Sequence, residues 1–374
     1  MKKKTLILAT ALLMVGCGKQ KVELISADNF NTQVDGKQVS LYTMHNGDIT
    51  LQTTNFGGRI VALWMPDRRG SYSDIVLGYE NIDKYLNESG ERALGAAIGR
   101  CANRIGNATF TLDSLVYHLT KNDGENTQNG GEKGADRMVW DVVSSNDSTI
   151  VMHVQLPDGQ DGFPGNLDVT MTYALTYDNQ LVVRYKATTD KPTLCNFANH
   201  LFFNLRGKGD ILKHNLQINA RYMTPINAQK VANGRYLGVK GKALDFTEAH
   251  RIGDSIKSKD LQIQYGNGYD HNYVIDKTTI DEYALAATLN EPKSRREMQI
   301  WTNQIGVQFN SGNTFDGTVK GKQGKALKAH GGLALDTQFW PDAINYDTYP
   351  SPILRPGEEY DRITIYKFAV TPKK

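Results

Sequence analysis

Val169-Thr170-Met171-Thr172-Tyr173-Ala174-Leu175, the turn Tyr177-Asp178-Asn179, and Leu181-Val182-Val183-Arg184-Tyr185-Lys186-Ala187 decide the fold class. Val169, Met171, Tyr173 and Leu175 fall on one face of an extended chain, and Leu181, Val183, Tyr185 and Ala187 on one face of the next. Period-2 alternation on both sides of turn chemistry predicts a β-hairpin with one buried face. Outward from it, the pattern repeats at Ile150, Met152, Val154 and Leu156, and at Ile305, Val307 and Phe309. It returns at Leu115, Tyr117 and Leu119 after an Asp113-Ser114 turn, and at Thr364, Tyr366, Phe368 and Val370. Such alternation belongs to antiparallel sheets.

Helical signals are few, with Asn81 to Glu88 the best candidate. Strands do not alternate with helices, so a doubly wound α/β fold is disfavoured. Asn129-Gly130-Gly131 falls between strands and not at a strand-to-helix turn, which argues against a phosphate-cradling loop. The expectation is an all-β chain: one large antiparallel β-sandwich over residues 22–374.

The N-terminus reads as an export signal. Lys2, Lys3 and Lys4 precede an apolar stretch from Leu6 to Val15, which is too short to span a bilayer. It ends in Met14-Val15-Gly16-Cys17, which resembles a bacterial lipobox. Residues 1–16 are expected to be a lipoprotein signal peptide, and residues 17–21 a lipidated Cys17 with a short tether. The protein is then exported and held on a bacterial membrane by lipid, on a side the sequence leaves open. The formal charge of +3 comes from the three lysines of that signal. No basic stripe with interleaved aromatics points to nucleic acid. No protein partner is legible. Cys101 and Cys195 lack zinc or redox spacing; export permits a disulfide between them, and two buried free thiols is the favoured reading. The eight histidines show no metal-binding spacing, so no metal is expected.

Four segments concentrate polar and aromatic residues: Gly99 to Ile105, Asn196 to Asn204, Gly268 to Tyr273, and Leu335 to Asp342. Amides, arginines, carboxylates and aromatic faces are what a sugar site uses, and a histidine with a carboxylate can move protons. Each segment also has a plainer reading. A lone histidine can be a structural hydrogen bonder, Asp270-His271 a turn, and an Arg–Asp pair an ion pair.

Taken in order, these segments resemble the aldose 1-epimerase (galactose mutarotase) family. The resemblance runs from Asn55-Phe56-Gly57-Gly58-Arg59-Ile60 through Gly99-Arg100-Cys101-Ala102-Asn103-Arg104-Ile105 and Asp161-Gly162-Phe163-Pro164-Gly165. It continues in Asn199-His200-Leu201-Phe202-Phe203-Asn204, Gly268-Tyr269-Asp270-His271-Asn272 and Asp336-Thr337-Gln338-Phe339-Trp340-Pro341-Asp342. It implies the large galactose mutarotase-like β-sandwich and interconversion of the α and β anomers of free aldoses such as galactose or glucose, without a cofactor. It also implies His200 as the acid toward the ring oxygen and Asp336 as the base toward the C1 hydroxyl. Asn103, Arg104, Asn129, Phe202 and Asp270 would bind the monosaccharide.

Three positions depart from the family pattern. Asp336 stands where Glu is usual, retracting the carboxylate by about 1.5 Å. Asn129 stands where His is usual, and Phe202 where Tyr is common. Two other readings therefore stay open: a non-catalytic sugar-binding lipoprotein, and an enzyme using Asp270 and Asp336 as a carboxylate pair.

Overall fold

The computed structural model describes residues 22–87 and 90–372. The signal, Cys17 and the tether lie outside the described residues. The hairpin read first from the sequence forms the centre of a nine-stranded sheet. Leu167–Leu175 pairs antiparallel with Gln180–Thr189, with Met171 opposite Tyr185 and Leu175 opposite Leu181. Asn179 closes the turn at φ 63°, a left-handed conformation that asparagine tolerates. The sheet runs in the order Asp141–Ser145, Thr149–Leu156, Leu167–Leu175, Gln180–Thr189, Tyr360–Val370, Arg296–Thr302, Ala284–Asn290, Asn215–Ile218 and His250–Arg251.

A six-stranded sheet packs against it, in the order Phe202–Phe203, Leu333–Gln338, Gly306–Asn310, Asp270–Val274, Tyr222–Thr224 and Leu237–Gly238. Met171, Tyr173 and Tyr366 from the first sheet share one core with Tyr273, Phe309 and Leu335 from the second. The Thr337 and Thr364 hydroxyls bond across the interface at 2.6 Å. A four-stranded sheet, Leu41–Asn46 to Tyr72–Asp74, adds Ile49, Leu51, Leu63 and Met65 to the same core. The architecture is the expected antiparallel sandwich.

The six-stranded sheet is covered on both faces, so its alternation is chemical and not one of exposure. Leu333, Leu335 and Thr337 face the core, while Asp336 and Gln338 face away from it yet are also buried. Val307 and Phe309 face in, and Gln308 and Asn310 face out. The register sets Asp336 beside Gln308 and Asn310 beside Asp270.

Two local expectations are refined. The helix is Ile82–Leu86, begun by Asn81, whose side chain accepts the Lys84 amide at 3.3 Å. Leu115 does not lie on a buried face. Leu115–His118 and Thr109–Leu112 form a separate two-stranded ribbon that leaves Leu115 61% exposed. The ribbon packs through its other strand, whose Phe110 and Leu112 are buried with Phe163, and leaves Leu115 outside. Cys101 and Cys195 are buried free thiols, as expected.

His214 and His271 are buried, and burial holds both imidazoles down at about 4. They are neutral in the folded protein at pH values where an unfolded histidine takes up a proton. Their contribution to stability is therefore present above about pH 6.5 and lost as pH falls toward 4. Urea midpoints should drop between pH 7 and pH 5.5, above the range of ordinary carboxylates, and a His214→Asn variant should show a smaller drop.

Candidate active site

The polar face of the six-stranded sheet forms the floor of a cavity of about 390 Å³. Asp270, Gln308, Asn310, Asp336 and Gln338 come from three adjacent strands. His200 enters from the segment before Phe202–Phe203, held by paired backbone bonds. Its amide donates to Ala96 O at 2.9 Å, and Gly95 N donates to His200 O at 2.8 Å.

The His200 Nδ1 lies 2.6 Å from Asp336 Oδ2. Burial pulls the imidazole down, but the Asp336 charge and hydrogen bond, helped by Glu91 and Asp270, outweigh it and hold His200 up at about 9. At neutral pH His200 is an imidazolium with Nε2–H free for the cavity, an acid poised beside a carboxylate. The second oxygen of Asp336, Oδ1, is buried without a hydrogen-bond partner. So is Nε2 of Gln338 on the same strand, a donor in the same position. Buried polar atoms left open in a cavity are groups that a bound polar molecule completes.

Asp270 has the opposite environment. Its Oδ1 accepts from Gln308 Nε2 at 2.9 Å and Asn310 Nδ2 at 3.2 Å, and its Oδ2 from Lys230 Nζ at 3.3 Å. Burial pushes its carboxyl up, but the charges of Arg104 and Lys230 and the Gln308 bond overcome this and hold it low. It stays an ionised acceptor suited to sugar hydroxyls. A role for Asp270 as the acid of a carboxylate pair is thereby disfavoured.

Asn103 and Arg104 form the side wall. Arg104 Nε donates to Asp123 Oδ2 at 2.6 Å, which aims the guanidinium. Asn129 spends its side-chain oxygen on Asn103 N at 2.9 Å, and its own amide donates to Asn103 O at 2.9 Å. Asn103 and Asn129 both hold positive φ, 68° and 52°, which suits asparagine. Next to Asn129, a Cβ on Gly130 would come within 2.1 Å of Gly99 O, so only glycine fits there. Asn129 is thus a clamp on the Asn103 loop as well as a cavity residue.

The sequence placed Phe202 in the sugar site, and the structure does not. Phe202 pairs with Ala334 on the apolar side, packs on Phe315, and touches His200 edge-on with centroids 4.8 Å apart. Its ring backs the histidine from outside the cavity lining.

Sequence reasoning missed Glu91, Asp123, Lys230, Gln308 and Asn310. Gln308 was discoverable as the polar residue between Val307 and Phe309 on a strand whose other face is core. Asp123 and Lys230 lie in loops with no periodic signal. A second cavity, of about 640 Å³, lies near Trp64, Tyr72 and Lys322 and holds no histidine. Its buried Lys322 is engaged by Asp74 at 2.5 Å and by Val61 O at 2.6 Å. Among the described residues no cluster of metal-ligating side chains occurs, and no helix is long and apolar enough to cross a membrane.

Comparison with known proteins agrees with this geometry. Residues 40–367 match the family described as Aldose 1-epimerase. Galactose mutarotase of Bos taurus is 37% identical over 334 residues, covering 89% of this chain and 94% of that protein. Aldose 1-epimerase of Escherichia coli K12 is 33% identical over 338 residues, 89% of this chain and 96% of its own. Among solved structures, an aldose epimerase homologue from C. elegans superposes with a TM-score of 0.82 at 27% identity, covering 89% of this chain and all of that one. Galactose 1-epimerase from Lactobacillus acidophilus NCFM gives 0.77 at 26% identity, covering 90% of this chain and 96% of that one. With that coverage and a cavity pairing a charged histidine with a carboxylate, the chain belongs to the aldose 1-epimerase family.

Proposed function

We propose that this mutarotase opens free aldoses with His200 as acid and Asp336 as base, and works as an exported lipoprotein anchored through Cys17. The observation that carries the chemistry is the 2.6 Å contact between His200 Nδ1 and Asp336 Oδ2 at the cavity floor, with Asp336 Oδ1 left open. His200 gives the Nε2 proton to the ring oxygen while Asp336 takes the proton of the C1 hydroxyl. The C1–O5 bond breaks to give the aldehyde, and rotation about C1–C2 presents its other face. Reclosure returns both protons and yields the other anomer, so atoms and charge balance and no cofactor is consumed.

Asp270 with Gln308 and Asn310, and Arg104 with Asn103, bind hydroxyls and fix the ring. Asp336, though shorter than Glu, lines the cavity and leaves Oδ1 without a partner for the C1 hydroxyl to meet. A non-catalytic sugar binder would not need a proton donor held charged in this way. The anchor reading rests on the basic, apolar and cysteine pattern of residues 2–17.

Four outcomes check this reading. Fresh α-galactose or α-glucose should equilibrate rapidly by polarimetry, and His200→Ala should slow it by about 10²–10⁴-fold. Because the charged form of His200 is the active one, kcat/KM should fall as pH rises through about 9. Binding without acceleration of any aldose would instead favour the non-catalytic sugar binder. Asp123→Ala, which unfastens Arg104, should raise KM several-fold and leave kcat nearly unchanged. Cys17→Ser should move the protein out of the membrane fraction, and an unchanged partition would overturn the anchor.

A further inference from the structure

Among the described residues, Glu91 is the one cavity carboxylate that neither the family resemblance nor the mechanism above uses. Its Oε1 lies 3.9 Å from His200 Nε2, on the opposite edge of the ring from Asp336. The side chain is 25% exposed, against 3% for Asp336, so it stands at the cavity wall and not behind it.

The placement is built, not incidental. Arg92, next along the chain, turns away from the cavity and fastens its Nε and Nη2 to Asp136 at 2.9 and 3.1 Å. Arg92 O accepts from the buried Arg59 Nη2 at 3.0 Å. Glu91 Oε1 is within 3.4 Å of Ala93 N, and Glu91 O accepts from Leu94 N at 3.2 Å. Two residues on, the backbone of 95 and 96 pairs with His200 itself.

The distance sets what this carboxylate can do. At 3.9 Å it is too far to hold the Nε2 proton in a hydrogen bond, yet near enough to favour the charged ring. The proton therefore stays available to a sugar oxygen. The groups facing His200 are Asp336 and Asp270 from two strands of the floor and Glu91 from the wall. Arg104 and Lys230, the cations of the cavity, are engaged by Asp123 and Asp270.

We propose that Glu91 is a positioning residue for His200, flanking the imidazolium on the Nε2 edge while Asp336 holds it on the Nδ1 edge. The inference rests on the mutarotase reading with His200 as acid. It makes the two carboxylates partners: each acts on one edge of the same ring, so a change at residue 336 alters what Glu91 contributes.

The test is a double-mutant cycle of Glu91→Gln and Asp336→Glu, followed by polarimetry with galactose and glucose across pH. In the natural background, Glu91→Gln should lower kcat by about tenfold or more with KM changed less than about threefold. Its alkaline limb should move down by about half a pH unit or more. In the Asp336→Glu background the same change should cost less than about threefold, the two substitutions coupling as neighbours do. Equal losses in both backgrounds, an unmoved alkaline limb, or a rise in KM alone would overturn the proposal. Glu91→Asp, which keeps the charge, should retain the natural pH profile, and matching urea midpoints separate a kinetic effect from a folding defect. An inactive natural protein would defeat the mutarotase reading itself. An active one that His200→Ala abolishes and Glu91→Gln leaves untouched would defeat this inference alone.

Discussion

Because side chains alternate across a strand, a sheet covered on both sides presents two surfaces of independent chemistry, and the six-stranded sheet depends on this. Leu335, Thr337, Val307, Phe309, His271 and Tyr273 supply the side toward the core. Asp336, Gln338, Gln308, Asn310 and Asp270 supply the side toward the cavity. One register satisfies both. A slip of one residue would bury carboxylates among leucines and turn aromatic rings into the cavity, so core packing and site geometry are specified by the same pairing. The nine-stranded sheet sees the core on one face only. It could tolerate polar variation on its outer face that the inner sheet could not.

The loops that wall the cavity have no such register, and buried arginines take its place. Arg59 donates to Phe56 O at 3.0 Å, Asp136 O at 2.6 Å and Arg92 O at 3.0 Å. Arg100 reaches Pro164 O and Gly165 O at 2.8 Å each, and Leu156 O at 3.1 Å. Arg296 ties Pro66 O, Leu205 O and Met65 O together. Burial lowers Arg59 and Arg100 to about 10, so both remain charged at neutral pH and their donors must be satisfied. Backbone carbonyls satisfy most of them, Arg59 Nε being left without a partner. A planar group with five donors can therefore gather several loops at once, which a lysine could not.

This division explains what the sequence made legible. The hairpin at 167–189, the strands around Val307 and Tyr366 and the sandwich class follow from alternation, which is local. His200, Asp336, Asp270, Asn103 and Arg104 were reached by ordered resemblance, and the fold brings them to one cavity. Arg100 and Arg104 lie four residues apart in one motif, and only Arg104 was assigned to the sugar. One proves structural and the other lines the site, because strand and loop geometry turn them to opposite sides. Phe202 was assigned to the sugar on its position two residues after His200. In the local geometry it pairs with Ala334 and turns to the apolar side. Glu91, Asp123 and Lys230 come from loops, where side-chain direction is fixed by distant partners such as Arg59 and Asp136. No pattern within the loops themselves records it.

The pairing of charges in the cavity shows how the site separates binding from proton transfer. Arg104 is matched by Asp123, and Lys230 by Asp270. Those pairs place donors and acceptors for hydroxyls without altering their charge during the reaction, since a guanidinium does not deprotonate and Asp270 is held ionised. In the proposed reaction His200 with Asp336 is the pair that exchanges a proton with substrate, and Asp336 is the least exposed carboxylate of the cavity among the described residues. The proposed proton transfer between sugar and protein would then occur against a fixed electrostatic background. The cost of reorganising charge falls on the two groups that the strand register already holds in contact.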